Sequence, residues 1–158
     1  MKIAGKVLDG PRVETLVIPR GEDEIILKAR AVLDFDDFEK LCKPPEPPML
    51  LKRGGEQVPR LDDKDYLKRL DDFASKKTAW MVLKSLEATE GLEWETVKMD
   101  DPDTWRNFET ELKDAGFSFA EVGLILQTVT TACGLNQSKI EEATKRFLAG
   151  QAETSENA

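Results

Sequence analysis

The sequence predicts a mainly helical α+β protein: a small N-terminal antiparallel β-meander, a proline-rich linker and a C-terminal bundle of about four helices. Three observations predict it. β-Branched runs fall before residue 33, four prolines crowd into KPPEPP, and apolar residues after position 62 recur at helical spacing between caps and glycines. The expected modules are 1–43 (β-rich, with a short helix), 44–61 (linker), 62–150 (helical) and 151–158 (a small, polar, disordered tail).

Lys2–Leu8 is a weak strand candidate, closed by Asp9-Gly10-Pro11. Val13–Ile18 is rich in β-branched residues, and Pro19–Asp23 has the length of a hairpin loop. In the run from Glu24 to Val32, Ile25, Leu27, Ala29 and Ala31 share one face and Lys28 and Arg30 the other. Asp34 can cap a short helix whose Phe35, Phe38 and Leu41 form a stripe expected to lie over the sheet.

Pro44, Pro45, Pro47 and Pro48 favour extended backbone, and Gly54-Gly55 adds flexibility, which reads as a spacer in preference to an SH3-type PxxP ligand. A helix is expected from about Asp63 to Ala88, with Tyr66, Leu70, Phe73, Lys77 and Trp80 on one stripe. Leu92–Val97 alternates as an extended connector. Asp101-Pro102 opens a second helix, with Trp105, Phe108 and Leu112 inward and Gly116 as its stop. A third runs from the capping box Ser118–Glu121 to Gly134, apolar nearly all round and therefore expected at the bundle centre. A fourth starts at the capping box Ser138–Glu141, carries Ile140, Ala143 and Phe147, and is expected to end at Gly150.

The 158 residues include 23 basic and 31 acidic side chains, a net charge of −8, with a pI near 4.8. That balance argues against binding nucleic acid through bulk charge. There is no histidine, which removes the usual general base and the commonest metal ligand. Cys42 and Cys133 make no metal spacing and read as small apolar residues in a reducing cytosol. No glycine-rich phosphate loop is present. Close acidic pairs such as Asp36-Asp37 and Asp71-Asp72 sit at helix starts or on solvated helix faces. Asp100, Asp101 and Asp103 lack the glycine and glutamate of an EF-hand loop. No catalytic, cofactor or metal residue is therefore expected, and no cofactor. The N-terminus has no apolar signal region, and Val122–Ser138 is too short and polar to span a bilayer, so a cytosolic protein is expected.

Interaction remains. The candidate partner-binding residues are the large aromatic anchors Trp80, Trp94 and Trp105, with Val122, Ile125, Leu126 and Val129 of the apolar helix.

From FDDFEKLCKPPEPP through LEWETV, DPDTWRNFETELKDAGFS and KIEEATKRFLAGQ, the chain resembles tail assembly chaperones of long-tailed bacteriophages. The resemblance spans roughly residues 35 to 151 and rests on packing, capping and turn words. It implies a non-enzymatic protein of the host cytoplasm that binds the tape-measure protein, the tail-tube protein or both; a homo-oligomer is a separate expectation. The alternative is a permanent structural or adaptor protein of the virion, which the β-rich start would suit by strand-edge pairing.

Overall fold

The structure is a computed structural model that describes residues 1–156. It is mainly helical α+β, with small antiparallel sheets and five helices among the described residues. The chain forms two compact units. The first takes Met1–Leu33, Ser85–Glu90 and the chain from Ala120 onward, and the second takes Asp34–Lys84 and Gly91–Phe119. The units interleave along the sequence, whereas the expected modules followed one another in series.

In the first unit, β1 (Lys2–Ile3) and β2 (Lys6–Val7) form a two-residue-per-strand hairpin, not one strand over Lys2–Leu8. Ala4 and Gly5, at φ +49° and +78°, turn the chain in the left-handed region that such tight hairpins require. β3 (Val13–Arg20) and β4 (Asp23–Arg30) form a second hairpin, in register from Val13–Arg30 to Arg20–Asp23. Its turn is only Gly21-Glu22, shorter than the expected loop, because Gly21 adopts φ +60°. The two hairpins are separate sheets, so no continuous meander forms. The alternation in β4 is as expected: Leu27 and Ala29 are buried, Ile26 and Arg30 exposed.

Two strands alone are marginal in water, and side chains from the Ser85–Glu90 segment support this pair. The Thr89 hydroxyl accepts from the Lys28 N–H and donates to the Lys28 carbonyl, both at 2.9 Å. The Ser85 hydroxyl donates to the Arg30 carbonyl at 2.8 Å. At Lys28 and Arg30 the outer edge of β4 is thus met by hydroxyls in place of a third strand. Arg20, at the turn, donates from its two terminal guanidinium nitrogens to the Glu121 carboxylate at 2.5 and 2.8 Å, a bidentate pair.

Helix α4 (Phe119–Ala132) begins immediately after Ser118. It buries Ile125, Val129, Thr131 and Ala132 but leaves Leu124 46% exposed, so it has one buried face and is not enclosed all round. It closes at Gly134, φ +73°, where the Leu135 N–H reaches the Thr130 carbonyl.

Helix α5 (Gln137–Glu156) starts one residue before Ser138, because Asn136 supplies the cap by accepting from the Lys139 N–H. It passes through Gly150 and continues to Glu156, where a stop and a disordered tail were expected. A helical glycine is less favourable than alanine by about 1 kcal/mol, which penalises the helix without breaking it, and good helix formers follow. The last two residues of the expected tail lie outside the described residues.

In the second unit, Asp34 accepts from the Asp36 N–H at the start of α1 (Asp36–Leu41). Helix α2 (Lys64–Leu86) is capped by Asp63, which accepts from the Tyr66 N–H; its residues to Lys84 lie in this unit. The expected linker lies inside this unit and is partly folded: β5 (Met49–Leu51) pairs with β6 (Gln57–Pro59) across Gly54 and Gly55, both at positive φ. The expected helix from Asp101 divides into a 3-10 turn at Pro102–Thr104 and helix α3 (Asn107–Asp114). The Thr104 hydroxyl donates to the Asp101 carbonyl and accepts from the Lys98 N–H. Gly116, φ +92°, ends α3 as expected, with the Phe117 N–H on the Leu112 carbonyl.

The core of this unit is aromatic. Phe38 has no exposed surface, and its ring centre lies 5.3 Å from Phe73, 5.8 Å from Trp105 and 6.0 Å from Trp80. Within this unit Phe38 of the α1 stripe packs among α2 and Trp105, and Leu41 is 44% exposed. The Trp105 ring N–H donates to the Lys98 and Met99 carbonyls, which satisfies its polar atom inside the core.

Phe38→Ala and Trp105→Ala should each destabilise the protein by about 3–5 kcal/mol; denaturant titration followed by tryptophan fluorescence measures it, and a shift under about 1 kcal/mol would contradict the packing described. Thr89→Val should lower stability by about 1–3 kcal/mol by leaving the Lys28 amide groups unpaired. Hydrogen exchange should then be faster at Lys28 than in β3.

Candidate protein-binding surfaces

Of the seven residues singled out from the sequence, four are core. Trp80 and Trp105 are buried in the second unit, and Ile125 and Val129 are buried in the first. No partner reaches them in the folded chain. Val122 and Leu126 are half-buried in the first unit, and Trp94 is half-buried in the second. Period alone identified apolar faces; it did not separate the face that fills a core from one left open.

Trp94 lies in an irregular segment where alternation suggested an extended connector. Its ring meets Phe108 edge-on, centres 6.5 Å apart. What holds the segment is Glu111 of α3. The Glu111 carboxylate accepts from the Thr96 N–H and hydroxyl, both at 2.5 Å, and from the Glu95 N–H at 3.1 Å. Burial pushes this carboxyl up, but the Thr96 hydroxyl and the N–H groups of Thr96, Glu95 and Val97 outweigh it and hold the pKa below the ordinary value. With the loop pinned, Leu92, Trp94, Leu112 and Phe117 line an open groove of about 590 Å³. Glu93, Glu95, Glu111 and Asp114 also line it, and none of the lining residues is basic. The groove suits an apolar segment that carries positive charge.

A second charged cluster in the same unit fastens α2 to the 3-10 turn. Lys76 bridges Asp103 at 3.1 Å and Asp72 at 3.2 Å, and Arg106 also pairs with Asp72. The hydrogen bond from Lys76 holds the Asp72 carboxyl below its usual value, and Asp103 raises Lys76 in turn. Burial pushes the nearby Cys42 thiol up, which makes it less reactive.

In the first unit the open surfaces are helical and stranded. Every residue of α5 from Gln137 to Ser155 is exposed, including Ile140, Phe147 and Leu148. The first turns of α5 border a groove of about 440 Å³ with Arg12, Thr131 and Asn136. On the outer face of the β3–β4 hairpin, Val13, Val17 and Ile26 are also exposed, and Val17 stands directly opposite Ile26.

No family model, curated protein or solved structure matches this chain. The surfaces must therefore be read from their own chemistry. Among the described residues no group of three or more acidic or cysteine side chains is placed to hold a metal ion, and no helix is long and apolar enough to cross a membrane. Sequence reasoning missed Glu111 as the organiser of the Trp94 segment, since a glutamate on an exposed helix face gives no signal of a loop fifteen residues away. It also missed α5 as a wholly exposed helix.

Asp72 and Glu111 both have depressed folded-state pKa values, so the stability they supply is present above their ordinary values of 3.8 and 4.5 and is lost as pH falls through the lower folded values. The melting temperature should therefore drop on acidification below about pH 4.5, and Glu111→Gln should make that drop shallower. An equal drop in the variant would remove Glu111 from the account.

Proposed function

We propose that this chain is a non-enzymatic assembly chaperone that binds a basic, amphipathic helical segment of a phage tail protein, the tape-measure or tail-tube protein, in the host cytoplasm. One observation carries the reading. Trp94, a residue type that dominates binding energy at interfaces, is left half-exposed in a groove with apolar walls and an acidic rim. Apolar walls accept the hydrophobic stripe of a helix, and the rim selects one with lysines or arginines beside that stripe. The net charge of −8 extends the same preference over longer range. The phage partner comes from the resemblance of the chain to tail assembly chaperones. A chaperone of this kind must release its client, which fits a single tryptophan-centred contact better than an extensive apolar interface.

A permanent role in the virion is the second reading, and the β3–β4 hairpin favours it. Among the described residues β3 has no strand on its far side, and the exposed face carries Val13, Val17 and Ile26. A strand from a neighbour could extend such a ribbon.

Two samples from one infected culture separate the readings: proteins that co-purify with a tagged copy before lysis, and gradient-purified particles, both identified by mass spectrometry. Tape-measure or tube protein in the first and no trace of this chain in the second is the expected result. A fixed copy number in particles would establish the structural role instead. Trp94→Ala should weaken client binding by about tenfold or more, while the protein still melts cooperatively.

A further inference from the structure

We propose that α5 is a dimerisation helix that pairs antiparallel with α5 of a second copy of this chain. The helix has twenty residues, and none from Gln137 to Ser155 is buried, which places it at the edge of what a helix sustains alone in water. It nonetheless carries a regular apolar stripe. Ile140, Ala143, Phe147 and Gly150 recur at steps of three, four and three residues, with Ile140 44% and Phe147 63% exposed. Leu148 lies one position outside that stripe.

The stripe alternates large and small: isoleucine, alanine, phenylalanine, glycine. Laid antiparallel, with Phe147 opposite Ala143, the helix also sets Ile140 opposite Gly150. Each large side chain then meets a small one, in four layers related by a twofold axis near residue 145. The flanking residues fall into place in the same register. Lys139 faces Glu153 of the second copy, and by symmetry Glu153 faces Lys139, while Gln137 faces Gln151 and Thr144 faces itself. Arg146 meets its own copy at the axis, the one unfavourable pair, with Glu142 four residues earlier on the same helix to offset it. A parallel pairing has none of these advantages. It stacks Phe147 on Phe147 and Gly150 on Gly150, and it sets Lys139 beside Thr144 and Arg146 beside Gln151, with no opposite charges matched. Charge and size therefore both select a second copy in antiparallel orientation.

Two heptads make a weak contact, so the dimer should appear at concentrations near about 100 µM. The full chain is followed by sedimentation equilibrium over a concentration series to about 500 µM. The expected result is a reversible monomer–dimer equilibrium that Phe147→Asp weakens by about tenfold or more. A charge-exchange experiment fixes the orientation independently of any effect of Asp on folding. Lys139→Glu and Glu153→Lys should each weaken the dimer, and an equimolar mixture of the two variants should associate better than either alone, because both cross-pairs become opposite in charge. The double variant should recover the original association. A chain that stays monomeric throughout, or a dimer indifferent to Phe147→Asp, or variants that gain nothing on mixing, would overturn the proposal. Trp94→Ala should leave the equilibrium unchanged, so this inference and the groove reading stand or fall separately.

Discussion

Phe38 is the side chain on which the second unit depends. It sits on α1, a helix of six residues that is too short to persist by itself. Its ring has no exposed surface, and it touches one aromatic from the middle of α2, one from further along that helix, and Trp105. Three chain segments far apart in sequence thus converge on one benzene ring. Trp105 can join them only because its ring N–H finds two backbone carbonyls, so the placement of the loop before it follows from the same cluster. Phe35 extends the cluster to Trp80 and accepts the ammonium of Lys77 over its face at 4.5 Å, which keeps a charged residue on an otherwise apolar stripe.

The first unit solves a different problem. It must hold a two-stranded ribbon without a third strand, and it does so with polar side chains. Thr89 and Ser85 occupy the outer edge of β4 at the places where a neighbouring strand would donate and accept. Glu121 clamps Arg20 beside the turn through two hydrogen bonds, and Ile18, Leu27 and Ala29 are buried on the same face of the ribbon. The hydroxyls also block strand pairing at the Lys28–Arg30 end of that edge.

Most of the helices were legible in the sequence because their ends are written in local chemistry. Asp63 caps α2, and Gly116 and Gly134 end α3 and α4 in the left-handed region. Local chemistry failed where two signals competed. Asn136 outbid Ser138 as a cap, and Gly150 has a helical neighbourhood on both sides, so it is simply traversed. Prolines at 44–48 suggested a spacer, and the hairpin beyond them was hidden because its strands are three residues long. The interleaving of the units was not legible at all, since no local pattern announces that Ser85 and Thr89 will serve a strand some sixty residues earlier. For the partner-binding residues the limit is general. An apolar stripe looks the same whether another part of the chain or another molecule covers it, which is why Trp105 and Trp94 could not be told apart before their surroundings were known.

The division of the first unit along the chain has a consequence for how the protein is made. Its β3–β4 hairpin is complete by Arg30, but the unit it belongs to also needs the chain from Ala120 onward, 120 − 33 = 87 residues after its first segment ends at Leu33. At about 5–20 residues per second, a ribosome takes roughly 4–17 s to cover that interval. Within it the Ser85–Glu90 segment, whose hydroxyls brace β4, is made before the last part of the unit. The ribbon is thus made first and braced in two instalments, with most of the second unit synthesised in between.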